Sequence, residues 1–401
     1  MSEAKHLDQS HRPIPYGRQH ITDDDIAAVV ETLQSDFLTQ GPKVLEFEQA
    51  FASYVGAKYA VACSNGTAAL HLCTMALGVN KESRVITTPI TFVASANCVR
   101  YCGGTVAFAD IDPATALLDI NKVRQLLENK PQGYYAGIIP VDFAGNPVNL
   151  EEYRQLANEY GLWIIEDACH APGGYYIDSK GEKQLCGNGK YADLAIFSFH
   201  PVKHIATGEG GMVTTNDEKL YQELLKLRTH GITRDPNLMD ENHGGWYMEM
   251  QELGYNYRIP DMLCALGISQ LQRAEAGLAR RRGIAKVYDK AFESHAGIEI
   301  LGTTPEAYDS EGETGHAYHL YVIKVEDRKG LYDYLRQHNI FAQVHYIPAH
   351  TMPYYRNLGY KKGDYPKAES YYAGCLSLPM YPSLTQEEQE FVIEKVKEFV
   401  G

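Results

Sequence analysis

Between about residues 58 and 215 short apolar runs alternate with stretches of helical periodicity: KYAVAC, RVITTP, TVAFADI, YAGIIPVDF, LWIIEDA, DLAIFSF and GGMVTT. This alternation predicts an α/β fold with a mostly parallel sheet covered by helices. The intervening helices have their own signals. TAALHLCTMALG places Leu70, Met75 and Leu77 near one face and ends at Gly78, and NLEEYRQLANEYG has an asparagine start and a glycine stop. Residues 228–256 are rich in Gly, Asn, Asp and aromatics without a period, and they read as a long functional loop. A long helix is then expected over PDMLCALGISQLQRAEAGLARRRGIAKVYDKAF. The segments HAYHLYVIKV, NIFAQVHYI and QEEQEFVIEKVKEFV predict a small α+β domain. The expected division is a large domain with an N-terminal arm over 12–260, and a small C-terminal domain over 261–401 that includes the connecting helix. No repeat or low-complexity tract interrupts the pattern.

Composition narrows the function classes. The chain has 401 residues, 44% hydrophobic and 22% charged, which is ordinary for a folded protein with a large core. Its formal net charge of -14 argues against broad nucleic-acid or anionic-membrane binding, so an anionic ligand must be held in a local pocket. The eight cysteines are scattered, with no C-x-x-C and no zinc-like spacing. No metal site is expected, and the thiols read as reduced core residues of a cytoplasmic protein. The start MSEAKHLDQSHRP lacks a signal-peptide or transit pattern, and no apolar run approaches the ~20 residues of a membrane span.

Ligands of such sheets bind outside the carboxyl ends of the strands, so the residues following each apolar run carry the chemistry. After KYAVAC come Ser64, Asn65, Gly66 and Thr67 and then a helix; free N–H groups and a hydroxyl there suit a phosphate, while Ser64 or Asn65 also suits a plain N-cap. After RVITTP comes Phe92, either a core residue or a plane on which a ring could stack. After LWII come Glu166 and Asp167, where a carboxylate can cap a helix, join a structural ion pair or face a buried cation. After AIFSF come Ser198 and then Lys203, flanked by His200 and His204 in FSFHPVKHIATGEGG. A phosphate site, an aromatic plane, an acid for a ring nitrogen and a lysine for an aldehyde together describe pyridoxal 5′-phosphate. Asp167 and Lys203 are far enough apart in sequence for another strand and loop, so both can meet at the edge of the sheet. The two histidines of the lysine turn read as hydrogen-bonding or packing residues.

With these motifs, the chain resembles the DegT/StrS family of pyridoxal-phosphate sugar aminotransferases, which have the aspartate-aminotransferase-like fold type I. The resemblance runs in family order over nearly the whole chain, through LTQGPKVLEFEQAFASYVG, SNGTAALHL, TTPITFVASAN, IIEDACHAPG, FSFHPVKHIATGEGGMVTTND, GYNYRIPDMLCALGISQL, VHYIPAH and LSLPMYP. It implies that Lys203 is the Schiff-base lysine and proton shuttle and that Asp167 partners the pyridine nitrogen. Phe92 stacks on the ring, and Gly66, Thr67 and Ser198 hold the phosphate region. His170 stands where many members have a glutamine near the ring hydroxyl. Asn256 matches a residue that reaches the phosphate from the neighbouring subunit, which implies a homodimer with shared active sites.

Within the family, FSFHPVK with TGEGG, WYMEMQELGYNYR and QVHYIPAH look most like the UDP-sugar aminotransferases of pseudaminic acid biosynthesis. That resemblance implies transfer of the amino group of L-glutamate to C4 of UDP-2-acetamido-2,6-dideoxy-β-L-arabino-hexos-4-ulose. Tyr16, the segment Asp36, Phe37, Leu38 and Thr39, and the segment His345, Tyr346, Ile347 and Pro348 are then expected to line the sugar-nucleotide site, together with Gly66, Ser198 and Asn256. The alternatives are a dTDP- or GDP-4-keto-6-deoxysugar as acceptor, and a non-catalytic protein of the same fold. Lys203 stands where the family's dehydratase branch has histidine, which favours aminotransfer.

Overall fold

All seven apolar runs become strands of one sheet in the computed structural model, which describes residues 12–401; residues 1–11 of the MSEAKHLDQSHRP start lie outside it. The strands are Tyr59–Cys63 (β1), Arg84–Thr87 (β2), Thr105–Phe108 (β3), Gly137–Ile139 (β4), Trp163–Asp167 (β5), Leu194–Ser198 (β6) and Gly211–Thr215 (β7). Their order across the sheet is β1-β7-β6-β5-β4-β2-β3. Every pairing is parallel except those of β7, which runs antiparallel to both β1 and β6. The fully buried β4 and β7 and the nearly buried β5 and β6 explain why these segments read as continuous apolar runs.

The helices up to residue 292 are Asp23–Leu33 (α1), Pro42–Val55 (α2), Gly66–Ala76 (α3), Ala94–Tyr101 (α4), Ile120–Glu128 (α5), Leu150–Tyr160 (α6), Glu218–Arg228 (α7), Asp261–Gln272 (α8) and Ala274–Phe292 (α9). The stop signals act as anticipated: α6 ends on Gly161 in the left-handed conformation (φ 71°), where a side chain would be strained.

The single long helix expected after Pro260 is two helices. The chain breaks at Arg273 (φ -108°, ψ 5°). Buried Asp25 of α1 gathers Ser269 Oγ at 2.6 Å, Gln270 Nε2 at 2.8 Å and the Arg273 guanidinium, which ties the end of α8 to α1. α9 begins in the same core as α8 through Ala274 and Leu278 and then buries Ile284, Ala285, Tyr288 and Phe292 in the C-terminal core, so it bridges the two.

That C-terminal core lies on a three-stranded antiparallel sheet, Glu299–Ile300 (β8), Tyr321–Lys324 (β9) and Cys375–Leu378 (β10), with the helix Gln386–Val400 packed into it. Ile14 joins the same core, because Ile14–Pro15 pairs in parallel with Ile340–Phe341. The 228–256 segment is not wholly irregular: Ile232–Thr233 and Glu249–Met250 form a short antiparallel ribbon. Among the described residues no helix is long and apolar enough to cross a membrane.

Candidate active site

A cleft of about 910 Å³ opens where β1, β2, β5 and β6 end, and the C-terminal segment contributes His319, His345 and Tyr346 to its wall. Of the residues named from sequence, Tyr16, Gly66, Thr67, Phe92, Asp167, His170, Ser198, Lys203, His345 and Tyr346 line it.

Asp167 is the last residue of β5 and is 5% exposed. Its Oδ2 accepts a hydrogen bond from Ser95 Oγ at 2.6 Å, and its Oδ1 accepts one from the Cys169 N–H at 3.2 Å. Because the Ser95 proton goes to Asp167, Ser95 Oγ accepts from Thr91 Oγ1 at 2.8 Å. This Thr91–Ser95 chain orients the carboxylate, as charge-assisted hydrogen bonds do. Both residues belong to the quoted TTPITFVASAN stretch, four apart, but nothing in the sequence alone tied them to an acid 72 positions away.

Lys203 follows β6 in a turn closed by its own N–H donating to His200 O at 2.8 Å. Burial pushes its ammonium below the ordinary lysine value; Cys169 and Asp167 oppose that push and Arg281 adds to it. Its Nζ lies 3.4 Å from His319 Nε2. His319 went unnoticed in HAYHLYVIKV because that run reads as a strand. Of the two turn histidines, His204 Nε2 donates to Ala317 O at 2.8 Å, a structural cross-link to the same C-terminal segment, and His200 is exposed at the rim.

At the other end of the cleft, Asn65 caps α3 by accepting the Ala68 N–H at 2.8 Å, so the capping reading holds for it. The N–H groups of Gly66 and Thr67 make no hydrogen bond among the described residues. A Cβ on Gly66 would come within 2.9 Å of Ser198 Cβ, so glycine is what lets the helix start approach the end of β6. Free first-turn N–H groups beside the hydroxyls of Thr67 and Ser198 form a cradle for an anion.

Phe92 is 59% exposed, on the cleft wall and not in the core, with its ring centroid 6.2 Å from that of Tyr346. His170 Nδ1 accepts the Ala144 N–H at 3.2 Å, so its proton sits on Nε2, which donates to Tyr346 Oη at 3.3 Å. Burial holds His170 well below the ordinary histidine range. Tyr16 packs on His345 with ring centroids 4.9 Å apart. Tyr101, Tyr255, Tyr257 and His71 add an aromatic end that the sequence reading missed; His71 Nδ1 lies 3.0 Å from the Tyr257 hydroxyl.

A single chain does not bring the remaining named residues into the cleft. Asp36, Phe37, Leu38 and Thr39 lie exposed, anchored to the start of α8 through the Asp261 N–H to Leu38 O bond (3.0 Å) and the Thr39–Pro260 bridge. Asn256 is exposed and bridged to Thr229; Ile347 is exposed and Pro348 buried, neither facing the cleft.

The DegT/DnrJ/EryC1/StrS aminotransferase family profile matches residues 19–397. The chain belongs to this family. Over 394 residues it is 37% identical to the UDP-4-amino-4,6-dideoxy-N-acetyl-beta-L-altrosamine transaminase of Campylobacter jejuni, covering 96% of this chain and 98% of that one. It is also 37% identical over 395 residues to the spore coat polysaccharide biosynthesis protein SpsC of Bacillus subtilis, covering 96% and 97%. Two solved structures have the same fold. Helicobacter pylori PseC, an aminotransferase of pseudaminic acid biosynthesis, superposes with a TM-score of 0.84 at 29% identity over 97% of this chain and 99% of that one. The PLP-form of the sugar aminotransferase Spr1654 from Streptococcus pneumoniae gives 0.85 at 29% identity over 97% and 100%.

This DegT/DnrJ/EryC1/StrS member is thus an aminotransferase of fold type I, with pyridoxal phosphate as its cofactor. The residues present fit that group: an anion cradle at Gly66, a carboxylate fixed by Ser95 and a lysine amine beside His319 are the donor and acceptor types it requires.

Proposed function

We propose that the chain transfers the amino group of L-glutamate to C4 of a UDP-linked 4-keto-6-deoxy-N-acetylhexosamine, UDP-2-acetamido-2,6-dideoxy-β-L-arabino-hexos-4-ulose. The observation that carries the reading is Lys203 and the hydrogen-bonded Asp167 carboxylate lining one cleft with the anion cradle. Likeness to the C. jejuni transaminase supports the choice of acceptor. Bound pyridoxal phosphate supplies an electrophilic carbonyl and an electron-withdrawing ring that carries the amino group from donor to acceptor.

The chain's residues do the rest. Gly66 and Thr67 N–H groups with the Thr67 and Ser198 hydroxyls bind the phosphate, and Phe92 offers a stacking face. Asp167, held by Ser95, keeps a proton on the pyridine nitrogen. His170, with its proton on Nε2, donates toward the ring hydroxyl. Lys203 Nζ takes the α-proton of glutamate and, in the second half-reaction, delivers a proton to C4 of the sugar. A lowered ammonium pKa favours this work, because more of the lysine is free amine at a given pH. Two half-reactions in one cleft give ping-pong kinetics. Tyr16, His345 and Tyr346 flank the sugar end.

A homodimer completes the site in this reading. Ile26, Val30 and Leu33 on α1, with Phe37, Leu38 and Leu45, expose a set of large apolar side chains, and Trp246, Met250 and Leu253 expose another. A second copy covering these surfaces would bring Asn256 and the Asp36–Thr39 segment to its neighbour's cleft. Incubation with L-glutamate and a panel of UDP-, dTDP- and GDP-4-keto-6-deoxysugars, with 2-oxoglutarate release as the readout, tests the assignment. Turnover with the UDP sugar is expected, and turnover confined to dTDP or GDP sugars refutes it.

A further inference from the structure

Arg281 lies within α9 and is 1% exposed. Among the described residues no carboxylate pairs with it; its NH1 donates to three main-chain carbonyls, Met380 at 2.9 Å, Tyr318 at 3.1 Å and His319 at 3.4 Å. A buried guanidinium without a counter-ion is expensive, and burial lowers it to about 10. Two of its three contacts hold the segment that carries His319, and the third ties it to Met380 beyond β10. Tyr318, directly before it, has a positive φ of 47°, and the ring of His319 lies against that of His170 (centroids 4.2 Å apart) with Nε2 3.4 Å from Lys203 Nζ.

We propose that Arg281 and His319 set the position and proton state of Lys203: Arg281 clamps the Tyr318–His319 main chain and places an uncompensated positive charge behind the cleft, and His319 Nε2 accepts a hydrogen bond from the lysine nitrogen. The two act in opposite directions. The guanidinium disfavours a second positive charge nearby, so it promotes the free amine. A neutral imidazole accepting from the ammonium favours the charged form and fixes the direction in which Nζ points.

The other groups facing Lys203 do not replace this pair. Asp167 and Cys169 favour its charge, and burial keeps His170, His204 and His345 below the ordinary histidine range. Arg281 is therefore a positioning residue, while His319 touches the reacting nitrogen itself.

The proposal rests on Lys203 being the amine that serves the cofactor, and the experiment separates the two. In the full-length chain freed of cofactor, the pH dependence of Lys203 acylation by acetic anhydride, followed by mass spectrometry, gives the midpoint for its free amine. Arg281→Met is expected to raise that midpoint by about one unit, a tenfold smaller amine fraction below it. Arg281→Lys, which keeps the charge, is expected to leave it within a few tenths, and His319→Phe to lower it. Should Arg281→Met fail to fold, the sign of the His319→Phe shift decides alone. Midpoints that do not move, or that all drift toward the ordinary lysine value as simple opening to water would cause, overturn the proposal. The companion measurement is the visible absorption of the lysine-bound cofactor. Its persistence in Lys203→Ala overturns the Lys203 assignment and the proposal with it; its loss together with unmoved midpoints overturns the positioning proposal only.

Discussion

Glu166 and Asp167 are neighbours at the end of β5, both acidic and both buried, yet they lie in different surroundings. Asp167 faces the cleft and receives the Ser95 hydroxyl and the Cys169 N–H. Glu166 points to the opposite face, where its two oxygens accept the Gly187 N–H at 3.0 Å and donor atoms of Asp142, Glu166 and Cys186 lie within 4.8 Å of one another. Alternation along a strand sends consecutive side chains to opposite faces, so one residue of register separates the carboxylate that faces the cleft from the one packed behind the sheet. Glu166 and Asp142 cannot both ionise in that apolar layer. Burial and mutual repulsion raise Glu166 well above the carboxylate range, and burial raises Asp142 to about 7. Burial therefore favours the protonated form of the pair behind the strand that carries Asp167.

The comparison breaks most sharply with Asp167→Asn, which is expected to cut turnover about a thousandfold while leaving the fold intact. Glu166→Gln, by contrast, is expected to keep turnover within a fewfold; steady-state kinetics on both variants checks this, and equal losses would show that the two faces are not separate. Ser95→Ala comes next, because it removes a hydrogen bond to a charged group worth roughly 1.5–3 kcal/mol. A fall of about tenfold to a hundredfold in kcat/KM is expected, without change in the far-ultraviolet circular dichroism. Gly66→Ala places a methyl against Ser198 and is expected to weaken cofactor retention about tenfold, measured by equilibrium dialysis with the phosphate form of the vitamin.

The smallest effect lies on the Glu166 side. The folded pair keeps protons that the unfolded chain releases above its ordinary carboxylate pKa, so the pair's contribution to stability is greatest in acid and is lost as pH rises from about 4 through about 7 and beyond. The slope approaches about 1.4 kcal/mol per pH unit for each proton retained. Urea unfolding across that range is expected to show a flatter profile for Glu166→Gln than for the parent chain, and identical profiles would remove the protonated pair from the account.

Much of the fold was legible because it rests on local pattern. The seven apolar runs, the glycine stop of α6 and the C-terminal helix follow from periodicity and capping, which neighbours in sequence decide. The break at Arg273 was not legible, since nothing local forbids a helix there; it arises where Arg273, at the end of α8, meets Asp25 of α1 across 248 positions. The cleft shows the same split. Each strand end announced its own residue, Gly66, Phe92, Asp167 or Lys203, and family motifs assigned them roles. Ser95, His319 and Arg281 announced nothing, because a serine on a helix, a histidine in a strand-like run and an arginine among arginines are ordinary in sequence.

By itself, then, the order of residues determined the strands, most of the helices and the four chemistry-bearing strand ends, because strand and helix signals repeat over a few residues and a parallel sheet collects its strand ends on one edge. The tertiary structure alone decided that Thr91 and Ser95 aim the carboxylate of Asp167, that Glu166 turns away toward Asp142 and Gly187, and that a buried Arg281 held by main-chain carbonyls stands behind His319 and Lys203. Those outcomes depend on distances between side chains far apart in sequence and on exclusion of water, and neither is written in the pattern of any one segment.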